Sequence, residues 1–506
     1  MNLGGIYQDL GQLDQALASY RRANVLKPSS ISIAAAKNLF FSDLHKDNSE
    51  IDKERTAYVE GIKELEKNAT RFERSDKCIL TNMFWIAYHN RADDKDILES
   101  LGRSLQPQQS QNKIEKTISK KEDISIEGTI NLGICSNFLK SHTIGKLYSG
   151  LVKALKSKGF RLTIFRGPGT KTDALSQEID EYTNASIRLP ESLKEACSIV
   201  SKAELDILFY PDIGMSPYTY SLAMNRLAPV QVTSWGHPNT TGMQTMDYFL
   251  SSSLIEPQNA QSKYTERLIQ LTKLPCIYPT LRIETEKGSG SKFKLPLDQV
   301  LIGIPQSLFK FHPDYDEVLE RIISKLPEAK YVLIEGTNKP MTQRLKSRWE
   351  ANAQKTLANS IFLPRMTQQD YLCLLETVDI LLDPIYFGSG NTFYEAMAIG
   401  TPLVTMPGAY MRGRIVAGGY KQMKLDNAPI ANDIDDYIEI TIRLAENADL
   451  RRSLKQQIKT SALMHLFDDQ EAANEIIEFI HAAVDENRKT GCLLPVDWSP
   501  SKHGSL

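Results

Sequence analysis

Residues 383–405 read Asp383-Pro-Ile-Tyr-Phe-Gly-Ser-Gly-Asn-Thr-Phe-Tyr-Glu-Ala-Met-Ala-Ile-Gly-Thr-Pro-Leu-Val-Thr405, and this stretch decides the fold. An apolar strand over 380–382 runs into the small-residue loop Gly388, Ser389, Gly390. The loop hands over to a helix starting near Thr392, and a second strand comes after Gly400 at 402–405. A strand-loop-helix-strand unit of this kind leaves the helix N-terminus uncrowded. Its free N–H groups and positive dipole end then suit an anion, most commonly a diphosphate. Glu395, one turn inside the helix, could accept from ribose hydroxyls. The competing reading is a capping box, Thr392-x-x-Glu395, in which the two side chains satisfy the helix's own N–H groups and no ligand is needed.

Outward from this unit, strands and helices alternate in two runs. The first has strands over 129–134, 160–165, 206–210, 231–234 and 248–250, with helices near 144–158 and 191–201. The second has strands over 300–304, 331–335, 361–363, 380–382 and 402–405, with helices over 315–325, 341–358, 368–377 and 392–399. Apolar strands separated by helices imply parallel sheets covered on both faces. Long amphipathic helices over 435–445 and 450–482 close the chain, the last able to return to the first domain.

Ahead of both runs, Leu3, Gly4, Tyr7, Gly11, Ala16, Tyr20, Ala23 and Pro28 stand at the spacing of a tetratricopeptide repeat. One repeat cannot bury its own face, so it must stack on neighbouring helices. Helical patterns continue over 31–44, 51–68 and 76–105. The expected organisation is a helical cap over 1–105, with its repeat over about 1–30, and a polar linker over 106–126. A first Rossmann-like domain comes next over 127–276, then a linker over 277–294. A second Rossmann-like domain over 295–485 and a tail over 486–506 complete the chain.

A chain of 506 residues is too long for a single core. Lys+Arg 60 against Asp+Glu 62 leaves no basic excess for nucleic acid. The six cysteines are scattered without a C-x-x-C pair and read as free thiols of a reducing compartment. With no run of 18 apolar residues and no signal-like start, the expectation is a cytoplasmic protein without a membrane span. The eight histidines are scattered, and Asp433-Ile-Asp435 opens a helix far from the phosphate loop, so no metal and no cofactor is expected.

Three loops carry candidate chemistry. His142 comes after the first strand, at a strand-loop-helix junction where a general base or a group binding a phosphate or an acceptor can stand, or else it is a polar surface group at a helix N-terminus. Trp235-Gly-His-Pro-Asn-Thr-Thr-Gly242 offers His237, Asn239, Thr240 and Thr241 as a polar hand towards a ligand, or else a tight turn. Lys310, after the first strand of the second run, could neutralise a leaving diphosphate, or else it is a solvated lysine on a loop.

Together, Leu382-Asp-Pro through Thr405-Met-Pro-Gly408, Gln231-Val-Thr-Ser-Trp-Gly-His-Pro238, Met246-Asp-Tyr248 and Ser307-Leu-Phe-Lys310 resemble the O-linked N-acetylglucosamine transferase family, which includes SPINDLY. The Gly-His-Pro-x-Thr-Thr and Phe-Gly-Ser-Gly-Asn-Thr loops are similar to bacterial members, including adhesin N-glucosyltransferase-like enzymes. The resemblance implies an α/β protein of GT-B fold, two doubly wound Rossmann-like domains behind a tetratricopeptide-type cap. It implies inverting, metal-independent transfer of GlcNAc or glucose from UDP-GlcNAc or UDP-glucose to a Ser/Thr or Asn side chain of a polypeptide.

In that pattern Lys310 stabilises the departing diphosphate, and Asn391 and Thr392 contact the phosphates beside Gly388, Ser389 and Gly390. Glu395 holds the ribose, Ser307 stands near the donor, and Tyr371 lies over the base. His142 matches a histidine that acts as base or positions the acceptor. Two positions depart from the animal enzymes: Tyr371 and Gly390 each stand where those have histidine. The rival functions are a sugar-nucleotide epimerase of the same fold, transfer to a small carbohydrate or lipid, and a non-catalytic peptide-binding scaffold.

Overall fold

A computed structural model describes residues 2–73, 76–109, 128–281 and 292–500. Most of the expected 106–126 linker, the middle of the expected 277–294 linker and residues 501–506 lie outside the described residues.

Among the described residues the strands form two sheets, parallel throughout. The first has seven strands: β1 (Asn131–Cys135), β2 (Arg161–Arg166), β3 (Ala185–Arg188), β4 (Ile207–Tyr210), β5 (Val230–Ser234), β6 (Tyr248–Ser252) and β7 (Arg267–Leu271), ordered β3-β2-β1-β4-β5-β6-β7. The second has five: β8 (Leu301–Ile304), β9 (Lys330–Ile334), β10 (Ser360–Leu363), β11 (Ile380–Leu382) and β12 (Leu403–Val404), ordered β10-β9-β8-β11-β12. The central strands are continuous apolar runs because helices cover both their faces; every residue of β4, β8 and β11 is buried. β3 and β7, absent from the sequence expectation, are short strands towards the sheet edges and alternate or mix burial, which weakens their pattern. In each sheet the strand order reverses beside the first strand, between β1 and β4 and between β8 and β11. Ligands of open α/β sheets bind outside the carboxyl ends at such points.

At the start of the cap, helices Asn2–Asp9 and Leu13–Leu26 pack as a pair, with Ala16 and Tyr20 fully buried between neighbours. Ile31–Asn38, Asn48–Lys67 and Asp94–Gln109 come next. The helix expected over 76–105 is interrupted. Residues 83–88 form a separate 3₁₀ turn, Met83–Tyr88, bounded by Asn82 and Asn90 in left-handed conformations (φ 49° and 51°). The reason is its side chains: Phe84, Trp85 and Tyr88 are spent on contacts with loops of the two sheets and not on a continuous helix face. The cap core, from Ile31 to Leu105, is continuous with the side chains of Cys135, Phe165, Leu208 and Tyr210, so it sits on one face of the first sheet.

The expected helix over 450–482 is two helices, Ala448–His465 and Gln470–Thr490, broken at Asp468 (φ 48°), with Asp469 capping the second. That second helix returns to the first sheet. Phe479 packs on Tyr248 at 5.4 Å and Arg488 pairs with Asp206 at 2.8 Å. Among the described residues the six cysteines are free, and no helix is long and apolar enough to cross a membrane.

Candidate active site

The loop after β11 is built around a buried carboxylate. Asp383 Oδ1 accepts from the backbone N–H of Ser389 at 2.6 Å and from its hydroxyl at 2.7 Å; Oδ2 accepts from Thr405 Oγ1 at 2.8 Å. Burial pushes the Asp383 carboxyl up from its ordinary range, and these donors oppose that rise. Gly388 must lack a side chain, since a Cβ there would stand 2.5 Å from Asp383 Oδ2. A Cβ on Gly390 would meet nothing within 4 Å, so the chain faces open space at the residue that begins the helix.

That residue settles the capping question. The N-cap of helix Asn391–Ile399 is Gly390, and no side chain caps it. Thr392 lies inside the helix and shares a hydrogen bond with Tyr371 Oη at 2.8 Å. Glu395 is nearly fully buried and accepts from Lys146 Nζ at 2.9 Å and from Gln368 Nε2 at 2.7 Å. Neither residue of the supposed capping box serves the helix terminus, so its N–H groups keep their positive end for a ligand. Asn391 accepts from Tyr278 Oη at 2.8 Å, and Tyr278 stacks flat on Tyr394 (4.4 Å, 2°), which fixes the start of the helix against the segment after β7.

Lys310 comes from the loop after β8. Its ammonium donates to the Gly388 carbonyl at 2.7 Å and to Gln306 Oε1 at 3.0 Å, and it lies 4.9 Å from the centre of the Phe387 ring. Gln306 in turn donates from Nε2 to Ser389 Oγ at 2.8 Å. One hydrogen-bonded chain therefore joins Lys310, Gln306, Ser389 and Asp383 at the mouth of the helix. Burial lowers the Lys310 pKa to about 8, opposed by the Asp383 charge. Ser307, expected near the donor, is exposed; the adjacent Gln306 makes these contacts. Its position, the second residue past β8 at the switch point, was the available signal.

His142 comes from the first sheet, on the loop after β1. It is the N-cap of helix Thr143–Ser157, its Nδ1 accepting from Ile144 N at 3.3 Å, and its ring packs on Phe138 at 4.6 Å. Burial, with Lys140 and Lys146 nearby, lowers its pKa to about 4, so the ring is neutral at pH 7. Accepting at Nδ1 fixes the tautomer: the proton sits on Nε2, which can donate. The same helix packs against Asn391–Ile399, and through Lys146 it reaches Glu395.

The Gly-His-Pro loop is mostly turned inward. The Thr240 hydroxyl donates to Glu266 Oε2 at 2.6 Å, and Thr241 gives both its N–H, at 2.8 Å, and its hydroxyl to Glu266 Oε1. Asn239 Nδ2 reaches Asp94 Oδ2 at 3.4 Å. Gly242 (φ 71°) meets helix Asp94–Gln109 so closely that a Cβ would stand 2.1 Å from the Leu98 carbonyl. His237 is the member aimed elsewhere. It stacks on Phe84 at 5.4 Å, its Nε2 is buried without a hydrogen-bond partner, and burial takes its pKa down to about 3. Phe84 also touches Phe309, next to Lys310, and Tyr88 stacks on Phe387 at 4.2 Å. The cap thereby links the His237 loop to the Lys310 loop.

Residues 284–476 match glycosyl transferase family 41. The site just described, with Lys310, Asp383 and the helix from Asn391, lies inside that matched stretch. The chain is 26% identical over 360 residues to a UDP-glucose:protein N-beta-glucosyltransferase of Actinobacillus pleuropneumoniae serotype 5b, covering 70% of this chain and 57% of that protein. It is 27% identical over 333 residues to a probable SPINDLY UDP-N-acetylglucosamine–peptide N-acetylglucosaminyltransferase of Solanum lycopersicum, covering 63% of this chain and 33% of that protein. The chain thus spans about half the length of the first of these relatives and a third of the second. Among solved structures, a mutant O-GlcNAc transferase of Thermobaculum terrenum superposes with a TM-score of 0.76 at 20% identity, over 97% of this chain and 91% of that one. The architecture is GT-B, two doubly wound sheets behind a helical cap.

Proposed function

We propose that this protein is an inverting glycosyltransferase that moves GlcNAc or glucose from a uridine-diphosphate donor to a Ser/Thr or Asn side chain of a polypeptide. The observation that carries the reading is the Lys310 ammonium held 2.7 Å from the Gly388 carbonyl, beside a helix terminus that no side chain caps. A diphosphate seated there has a fixed cation and the positive end of a helix against the charge that develops as it leaves. The names of the relatives support the same class of donor and acceptor.

In this reading Gly388, Ser389, Gly390, Asn391 and Thr392 surround the diphosphate, Glu395 takes the ribose, and Tyr371 borders the base. Lys310 stabilises the leaving group, in the place a metal would take in other transferases. The acceptor oxygen or nitrogen forms its bond to the anomeric carbon as the bond from that carbon to the diphosphate oxygen breaks, and the configuration inverts. His142, neutral and protonated at Nε2, orients the acceptor by donating a hydrogen bond; it can accept the acceptor's proton only if its ring leaves the helix cap. His237 borders the acceptor or sugar side through its stack on Phe84. Asn239, Thr240 and Thr241 hold the shape of that loop through Asp94 and Glu266.

The test is release of UDP from UDP-GlcNAc and from UDP-glucose by the purified protein, with and without Ser/Thr-containing and Asn-containing peptides, together with the intact mass of the peptide. Peptide-dependent release with a matching gain of one hexose or N-acetylhexosamine is expected. Epimer formation without peptide labelling, or UDP release that ignores peptide, would overturn the proposal.

A further inference from the structure

Lys146 stands one turn into the helix that His142 caps, and it belongs to no part of the site assigned so far. Its ammonium crosses to the half built on the second sheet and closes a three-membered ring. It donates to Glu395 Oε1 at 2.9 Å and to Gln368 Oε1 at 2.8 Å, while Gln368 Nε2 donates to the same Glu395 oxygen at 2.7 Å. Glu395 is 2% exposed at its side chain and Lys146 23%. Both donors occupy Oε1 of Glu395, so a ribose hydroxyl that takes that oxygen competes with Lys146.

Resting on the proposed donor site, we propose that Lys146 is a second diphosphate-binding cation, supplied by the N-terminal half and handed from Glu395 to the phosphates when ribose takes the carboxylate. The geometry allows the move. Glu395 lies one helical turn from Thr392, a rise of about 5 Å, and a lysine's four-carbon stem swings over that range. The charge count favours it: a diphosphate ester brings about two negative charges, which Lys310 alone does not match, and Lys146 supplies the second positive charge.

The experiment measures binding of UDP and of uridine by calorimetry to the full-length protein, to Lys146→Met and to Lys146→Arg. Lys146→Met is expected to lose about tenfold in UDP affinity and none in uridine affinity, since removing the competitor for Glu395 can only help ribose. Lys146→Arg keeps the charge and is expected to recover most of the UDP affinity. Equal losses for UDP and uridine in Lys146→Met would mean that Lys146 only shapes the Glu395 pocket, and an unchanged UDP affinity would mean that it does not reach the phosphates. Either result overturns the inference. Failure of the unaltered protein to bind either compound overturns the donor reading itself, which separates the two failures.

Discussion

Lys310→Met removes the charge at the mouth of the helix while keeping an unbranched side chain of similar length. Two effects set the result. In the fold, the Gly388 carbonyl and Gln306 Oε1 each lose a donor, at 2.7 and 3.0 Å. A hydrogen bond from a charged donor contributes roughly 1.5–3 kcal/mol, so the two together set a loss of a few kcal/mol. Relief of a cation that burial already disfavours offsets part of it. For a chain of this size that moves Tm by only a few degrees. In the reaction, a preorganised donor aimed at developing negative charge is worth about 10²–10³ in rate. The expected outcome is therefore a fold nearly as stable as the parent and transfer slowed at least a hundredfold at saturating donor. Differential scanning calorimetry and a coupled UDP-release assay read the two quantities on the same preparation. Turnover within fivefold of the parent, in a variant that melts normally, would refute the assignment of Lys310 to the leaving group.

The same geometry sets further outcomes. With a Lys310 pKa of about 8, kcat/KM should fall as pH rises through about 8 and the free protein loses that charge. In kcat the fall should come at higher pH, because a bound diphosphate favours the ammonium. Gly388→Ala should abolish donor binding or misfold the loop, whereas Gly390→Ala should fold normally, because only the former places a Cβ 2.5 Å from Asp383; equal stability of the two by thermal melting would contradict the loop geometry. Asp94→Ala leaves the buried Arg412 and Arg55 guanidiniums, at 2.8 and 2.9 Å, without that partner and should destabilise by about 3–5 kcal/mol in denaturant titration. The depressed pKa values of His142, His237 and His312, about 4, 3 and 4 against 6.5 unfolded, give stability that is complete above about pH 6.5 and lost as pH falls towards 4. Unfolding midpoints measured between pH 4 and 7 should decline accordingly.

The sheets and the phosphate loop were legible in the sequence because their signals are local. Continuous apolar runs mark β4, β8 and β11, and Gly388-Ser-Gly390 marks the loop after β11. Where the helix begins was less legible. Thr392 is a good capping residue and Glu395 is spaced to answer it, yet the backbone turns at Gly390 and both side chains find partners elsewhere, in Tyr371 and in Lys146 with Gln368. Gln306 was hidden because the resemblance points to Ser307, one residue on. Thr240 and Thr241 look like ligand groups in isolation. Their partner Glu266 stands about 25 residues away, and no local rule connects them. The 3₁₀ turn at Met83–Tyr88 was illegible for the same reason, since its shape depends on Phe309, Phe387 and His237.

These non-local contacts change what the cap is for. A cap that only covered the first sheet would end its polar contacts there. Asp94 instead accepts from Arg412 of the second-sheet half at 2.8 Å, reaches Asn239 of the Gly-His-Pro loop at 3.4 Å, and lies 2.9 Å from Arg55 of the cap itself. Phe84 and Tyr88 repeat the bridge with aromatic rings, on His237 and on Phe387. The buried charge contributes little net stability against an apolar replacement, but it is costly to break, so it holds the three parts in one register. The cap thus sets the spacing between the loop that carries Lys310 and the loop that carries His237. It borders the proposed site, and changes at Phe84 or Tyr88 reach the loops that carry His237, Lys310 and Phe387.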